Sequence, residues 1–393
     1  MSFNATYLNN VTMHAARAFL MLFILLHPTV LGARPRSITQ AITALEQGDA
    51  PQAQALIDQA TQEPSLQNLP CTWYYRGVIY EKLLREQITT EQAANCLKHT
   101  LAAYRKVLAL TSRYTQYHSF AKANLYGLWA YYLDWGRRSY RREAFEDAIT
   151  QLAIARDIRP QDPRAYLYIG VAAHQNADYD LAWSNYEQYL ALGAKDPAVY
   201  RGMACIAFTQ HHNPVQARAI LAQALTQYPW DHGLLQEQVE QHKALGSMAD
   251  WMSALQQQIV EAPRKAIYPY YLGYVCEQQG EYLKALEYYQ KASKLAPREA
   301  ALWQQQGLMH YQQAAESAQR INEMPPEAFQ QVGRVHLSVY KEHLNQAKRC
   351  LKKASALQPY SLLLLECLRH VYDRLQMPAS AKAVQQRMRR LRQ

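Results

Sequence analysis

Small, large and apolar positions recur along this chain on a fixed spacing. Between Ala266 and Pro297, Leu272, Gly273 and Cys276 form one group and Ala285, Tyr289 and Ala292 a second, with Gly280 between them. Spacings of three and four place each group on one face of a helix, so the segment predicts two helices joined at Gly280. Glycine supplies the tight turn, and Pro297 stops the second helix. Gly273 and Ala285 are small, which marks the close crossing of the two antiparallel helices. Leu272 and Tyr289 fill the space beside that crossing. The pattern repeats: Pro229, Pro263 and Pro297 stand 34 residues apart, as do Pro163 and Pro197. No stretch alternates apolar and polar residues in the period of a strand.

The frame extends in both directions. Arg164 to Asp196 carries Tyr166, Ile169, Gly170, Ala182 and Tyr186 in matching places, and Ala198 to Pro229 carries Ala217, Leu221 and Ala224. His232 to Pro263 is a weaker copy. Leu235, Gly246 and Leu255 fit, but Trp251 occupies a small position, which predicts a widened or shifted helix pair. Upstream, Ala148, Leu152, Ala155 and Pro160 close a unit whose first helix is expected over about residues 120–135. Trp73, Gly77 and Tyr80 open another, with a long or irregular turn expected before Ala103 and Val107. Gly48, Ala53, Ile57 and Ala60 mark the first. This period and this small–large alternation resemble the tetratricopeptide repeat family, from about residue 37 onward. The resemblance implies an all-α fold, a right-handed superhelical solenoid of about eight to nine stacked antiparallel helix pairs.

One repeat is interrupted. Trp303 and Gly307 begin it, and Ala347, Leu351, Ala354 and Pro359 finish it. The small positions Gly307 and Ala347 stand 40 apart instead of 12, so about 28 residues are extra. Pro325-Pro326 and a helical pattern near Phe329 to Leu344 predict extended helices joined by a Pro-broken loop. The insertion is either a tolerated surface excursion or a partner-contact element. The expected organisation is an N-terminal signal or anchor over 1–33, irregular repeats over 37–160 and a regular array over 163–297. The interrupted repeat follows over 300–359, then basic capping helices over 360–393.

The N-terminus is a separate device. Ala18 to Leu26 is free of charge and polarity, and His27-Pro28 and Leu31-Gly32-Ala33 follow before Arg34. This run is shorter than the roughly 20 apolar residues a membrane span needs. It reads as a secretory signal cleaved after about Ala33, with an uncleaved anchor as the alternative. Met13 is a second candidate start and would leave Arg17 in a short basic flank. No cysteine follows the apolar core, which argues against a bacterial lipoprotein signal. The sequons at Asn4 and Asn10 precede the core and are read as chance. An exported location, periplasmic or extracellular, or a membrane-anchored one is therefore expected.

Charge is uneven. Residues 331–393 hold 13 Lys or Arg against 3 Asp or Glu, which accounts for the whole net charge of +10. The densest groups are Lys348, Arg349, Lys352 and Lys353, and then Arg387, Arg389, Arg390 and Arg392. Cations near a helix C-terminus complement its dipole and solenoid ends need polar caps. The same groups would also meet an acidic protein, anionic lipid or nucleic acid. Six cysteines show no metal-ligand spacing and are expected as buried thiols. Export would permit a pair such as Cys350 and Cys367 to oxidise. The 29 tyrosines against 7 phenylalanines suit large repeat positions whose hydroxyl reaches a wet edge.

No phosphate-cradling loop or nucleophile elbow is present, and His211-His212 falls at a predicted turn. The expectation is a binding protein without enzymatic activity, cofactor, metal or small-molecule substrate. The family resemblance further implies that the first helix of each repeat lines a groove for a peptide or partner protein. Carried onto this chain, the groove positions are Arg164, Leu167, Val171 and His174, then Arg201 and Phe208, then Gln236, Glu240 and Lys243. Tyr270, Tyr274 and Glu277 follow, then Gln304, Leu308 and Tyr311. The lysine–asparagine set with which some relatives clamp a carboxylate is not evident. Two functions are carried forward: a scaffold binding through the groove, and an adaptor for an anionic membrane surface, nucleic acid or acidic protein through the basic C-terminal repeats.

Overall fold

The structure is a computed structural model that describes residues 35–86 and 90–392. The expected signal or anchor over 1–33 lies outside the described residues, as do both sequons. Among the described residues there are eighteen α-helices and no strand. They form two compact units, one ending at Lys195 and one beginning at Asp196. The first holds α1 (Arg36–Glu46), α2 (Ala50–Gln62), α3 (Pro70–Glu86), α4 (Thr90–Leu110), α5 (Gln116–Arg141), α6 (Phe145–Ile158), α7 (Pro163–Gln175) and α8 (Tyr179–Ala191). The second holds α9 (Pro197–Thr209), α10 (Pro214–Gln227), α11 (His232–Ala244), α12 (Met248–Glu261), α13 (Ile267–Gln278) and α14 (Tyr282–Leu295). It continues with α15 (Ala300–Glu323), α16 (Pro326–Leu357), α17 (Leu362–Arg374) and α18 (Pro378–Arg392). Each unit is a run of stacked helix pairs, a helical repeat solenoid.

Helix starts are written locally. Asp162 and Asp196 each accept a backbone N–H two residues on, with proline at the first helical position. Asp178, Asn213 and Asp231 cap α8, α10 and α11 in the related three-residue form. Such caps supply acceptors to amides that have no partner within the helix.

Glycine sets how closely the two helices of a pair approach. A Cβ on Gly136 would fall 2.5 Å from Leu152, on Gly170 2.6 Å from the Tyr186 ring, and on Gly273 2.9 Å from the Tyr289 ring. In all three the partner lies 16 residues on. Gly77 meets Tyr104 and Gly307 meets Leu351 in the same way, at separations of 27 and 44. The extra residues lengthen helices. α3 and α4 have 17 and 21 residues and α15 and α16 have 24 and 32, against 13 in α7 and α8. The long turn expected before Ala103 is thus replaced by long helices. α5 likewise runs from Gln116 to Arg141, beyond the expected 120–135.

α12 departs from the rule, and Leu255 is its one buried residue. Trp251 cannot enter a close crossing and instead stacks on His242, 4.5 Å between ring centres. Turns between paired helices place Ala177, His212, Gly246 and Gly280 in the left-handed region, at φ of 60°, 48°, 64° and 76°. His211 and His212 are exposed there. No disulfide joins the six cysteines, Cys350 and Cys367 included, and Cys96, Cys276 and Cys350 are buried while the other three are half-buried. No described helix is long and apolar enough to cross a membrane.

The α15–α16 pair carries a histidine contact. His310 Nδ1 and His343 Nδ1 are 3.2 Å apart, a bond that needs one neutral ring as acceptor. Burial lowers the pKa of His310 to about 4, helped by His343 and Arg349 and opposed by Glu342. Burial also lowers that of His343, against Glu342 and Glu316.

Three predictions follow from packing, backbone conformation and titration. Gly273→Ala lowers unfolding stability by about 1–3 kcal/mol through overpacking against Tyr289. Ala177→Gly raises it by about 0.5–1 kcal/mol by relieving the left-handed backbone; urea titration reads both. The histidines bind protons more weakly folded than unfolded. Their contribution is therefore complete above the ordinary value of 6.5 and is lost as pH falls from there toward 4. The melting temperature should drop over that window, and His310→Gln should flatten the drop.

Candidate partner-binding face

In the unit ending at Lys195, α7 carries four of the expected groove positions. Arg164 is exposed but held: its guanidinium makes two bonds to Asp162, at 2.9 and 2.8 Å, and lies 4.4 Å over the Trp129 ring. Arg159 stacks on the same ring at 4.8 Å. Burial would raise the Asp162 carboxyl, but the Arg164 side chain and backbone N–H, with Arg159, hold it below its ordinary value. Leu167 and Val171 are half-buried. His174 is half-buried and edge-on to Tyr179 and Tyr186. Arg137 of α5 lies 5.2 Å over the ring of Tyr168 on α7, a contact that the groove positions did not include. The only hint of it in the sequence is its place one residue after Gly136.

In the unit beginning at Asp196, the remaining positions divide. Gln236, Glu240 and Lys243 are exposed on α11, with Lys243 Nζ 3.1 Å from Glu240. Phe208 on α9 and Gln304, Leu308 and Tyr311 on α15 are half-buried. Arg201 reaches from α9 to the start of α11, where a Cβ on Gly233 would fall 2.4 Å from its Nη1. Tyr270 and Tyr274 are not surface groups: they are 0 % and 1 % exposed. Trp230 and Tyr289 pack on Tyr270 at 5.3 and 5.9 Å, and His232 packs on Tyr274 at 4.4 Å. Large rings bury more apolar area there than a groove would leave exposed, so these two tyrosines belong to the core.

What they surround is polar. Tyr289 Oη donates to Glu277 Oε2 at 2.5 Å. Burial raises the Glu277 pKa, and this bond only partly offsets it. On α11, Gln241 Nε2 donates to Glu237 Oε1 at 3.0 Å. Burial raises the Glu237 pKa too, against Gln241 and Arg201 and with Glu240. Glu237 escaped notice because it stands one place from an expected groove position and carries no motif.

The basic residues of the C-terminal helices have separate local partners. Lys353 Nζ sits 3.7 Å over the Trp303 ring and Lys348 donates to Asn345. Arg387 donates to the Pro359 carbonyl. Arg349, Lys352, Arg390 and Arg392 are exposed. Arg389 joins Arg369 and Lys382 around a depression of about 380 Å³ that Asp373 also lines. Among the described residues no group of three or more His, Cys, Asp or Glu is placed to hold a metal ion.

Paired helices with a glycine at five of the close crossings define a repeat array. A family profile described as tetratricopeptide repeat matches residues 133–197 and 248–300. These two segments carry tetratricopeptide repeats. No curated protein matches it. Among solved structures, a tetratricopeptide repeat protein from Parabacteroides merdae ATCC 43184 is 16% identical, over 70% of this chain and 97% of that one, with a TM-score of 0.29. Human IFIT1, solved as a dimer with m7Gppp-AAAA, is 14% identical over 91% and 69%, at 0.29. PilF of Pseudomonas aeruginosa is 14% identical over 68% and 93%, at 0.25. Likenesses this distant carry nothing about what this chain binds. The repeat fold itself implies a protein-interaction scaffold.

Tyr289→Phe should lower stability at neutral pH by about 1.5–3 kcal/mol, because it strips a half-buried carboxylate of its donor. Chemical denaturation of the two proteins measures this.

Proposed function

We propose that this chain is a non-enzymatic scaffold that holds a partner protein or peptide against the first helices of its repeats. The observation that supports this reading is the set of side chains on those helices that the core does not use. Phe208, Gln236, Glu240, Lys243, Gln304 and Tyr311 all keep solvent contact. Tyrosine, phenylalanine and amide side chains offer contact area at low entropic cost and adaptable hydrogen bonding. The apolar run from Ala18 to Leu26, closed by Leu31-Gly32-Ala33, supports placing this work outside the cytoplasm, in an envelope or secreted assembly.

A second reading rests on Arg389, Arg369 and Lys382 around their shared depression. It makes the C-terminal helices an adaptor for an anionic membrane surface, nucleic acid or an acidic protein. The two readings differ in salt response, because binding through several cations weakens steeply as salt rises.

A photo-crosslinking residue at Phe208, Gln236 or Gln304 should capture a partner in the native cell, whereas one at exposed Ala219 or Lys294 on second helices should not. Equal capture from both sets would overturn groove binding. Loss of capture in the Arg387, Arg389, Arg390 and Arg392→Gln chain, with steep salt dependence, would favour the second reading.

A further inference from the structure

One turn beyond the Gly307–Leu351 crossing, two histidines face each other. His310 follows Gly307 by three residues on α15, and His343 precedes Ala347 by four on α16. Those spacings keep each histidine on the face of its helix that makes the crossing. The ring centres are 5.5 Å apart, the planes meet at 40°, and the two Nδ1 atoms are 3.2 Å apart. Both residues are half-buried, not sealed in the core.

Facing imidazole nitrogens can do one of two things. One ring can donate to the other, and 3.2 Å is then at the long limit of the ordinary range. Alternatively, both lone pairs can turn to a single ion. Two nitrogens bound at about 2.0–2.1 Å to a tetrahedral zinc stand about 3.3 Å apart, close to the separation found here. The hydrogen bond needs the rings in opposite roles, whereas a metal takes both in the same role, with Nδ1 bare and the proton on Nε2. A neutral pair releases no proton in that change, because the donating ring only moves its own from Nδ1 to Nε2. Burial favours the neutral form of both rings, which is the form a metal takes.

Charge reaches the pair from both helices. Glu342 acts on both rings and Glu316 on His343, each favouring a cation, while Arg349 acts on His310 and opposes one. The two carboxylates already accept side-chain amides, Glu342 from Gln346 at 2.7 Å and Glu316 from Gln313 at 3.3 Å. They favour a dication through their charge and are not required as ligands. Water fills the positions that two rings leave, so the site is open and its affinity modest beside that of a closed four-residue structural site.

We propose that His310 and His343 form a two-histidine staple for a divalent transition metal ion, zinc in particular, that ties α15 to α16 where the long pair leaves its crossing. Imidazole suits zinc, copper and nickel, whereas magnesium and calcium take oxygen ligands. The histidines are 33 residues apart in the chain, with the Pro325-Pro326 turn between them. The rings meet only when both helices are in place, so zinc stabilises the folded pair. The staple is independent of what the groove holds.

Calorimetric titration of zinc chloride into the full chain, stripped with EDTA and dialysed to neutral pH, tests this. Zinc should bind in a saturable step of unit stoichiometry, and magnesium should give none. His310→Gln and His343→Gln should each weaken that step at least about tenfold, since loss of a ligand costs more than loss of an outer-shell partner. His211→Gln with His212→Gln, at an exposed turn, should leave it unchanged. Hydrogen exchange of the parent chain decides the matter even if a variant misfolds: zinc should slow exchange in α15 and α16 around the pair and leave α1 to α8 unchanged. No saturable step, a step that both variants retain, or protection confined to other helices would overturn the proposal.

Discussion

The fold depends on a missing side chain. At Gly136, Gly170, Gly273 and Gly307 the first helix of a pair has no Cβ, and a leucine or a tyrosine ring of the second helix occupies that space. Interiors packed to this density leave no room for even one added methyl. The contact also sets the register of the pair, because the ring fits at a single turn of the facing helix. Each pair then buries its remaining apolar face against its neighbours, as a solenoid must. In the pair containing Trp251, which lacks this contact, the second helix keeps only Leu255 inside.

The same constraint accounts for the longest pair. Gly307 and Leu351 preserve the crossing although 44 residues separate them. The intervening chain stays helical by extending both helices past the crossing. Such an extension gains no packing from the short neighbouring helices. Its own partner face must carry it, through Ala314, Ser317 and Gly333, and its outer face leaves Val335 and Val339 exposed. The His310–His343 contact lies where the extension leaves the core, which ties its integrity to protonation.

Packing and charge pull against each other on α11 and α13. Tyr270, Tyr274 and Tyr289 form a tight aromatic core, and the same packing removes water from Glu277 and Glu237. A chain selected for stability alone would place amides or apolar groups there. Glu277 keeps the Tyr289 hydroxyl as its donor there, and Glu237 keeps the Gln241 amide.

The sequence by itself determined the helices, their pairing and their turns, because each depends on local chemistry. Asp-Pro pairs start helices, Gly246 and Gly280 take the left-handed turn, and Gly at one helix with a large residue 16 positions on states the crossing outright. Helix length was less legible. Residues added between Gly77 and Tyr104 read as a turn, since spacing counts residues without saying whether they coil or continue the helix. The face was legible only as positions. Gln236, Glu240 and Lys243 are exposed as a repeating frame implies, but Tyr270 and Tyr274 are sealed by Trp230 and His232, which come from a loop and a helix start some 40 residues away. Only the tertiary structure decided that, and with it the desolvation of Glu237 and Glu277. Burial of a charge is a property of everything packed around it, and no single segment encodes it.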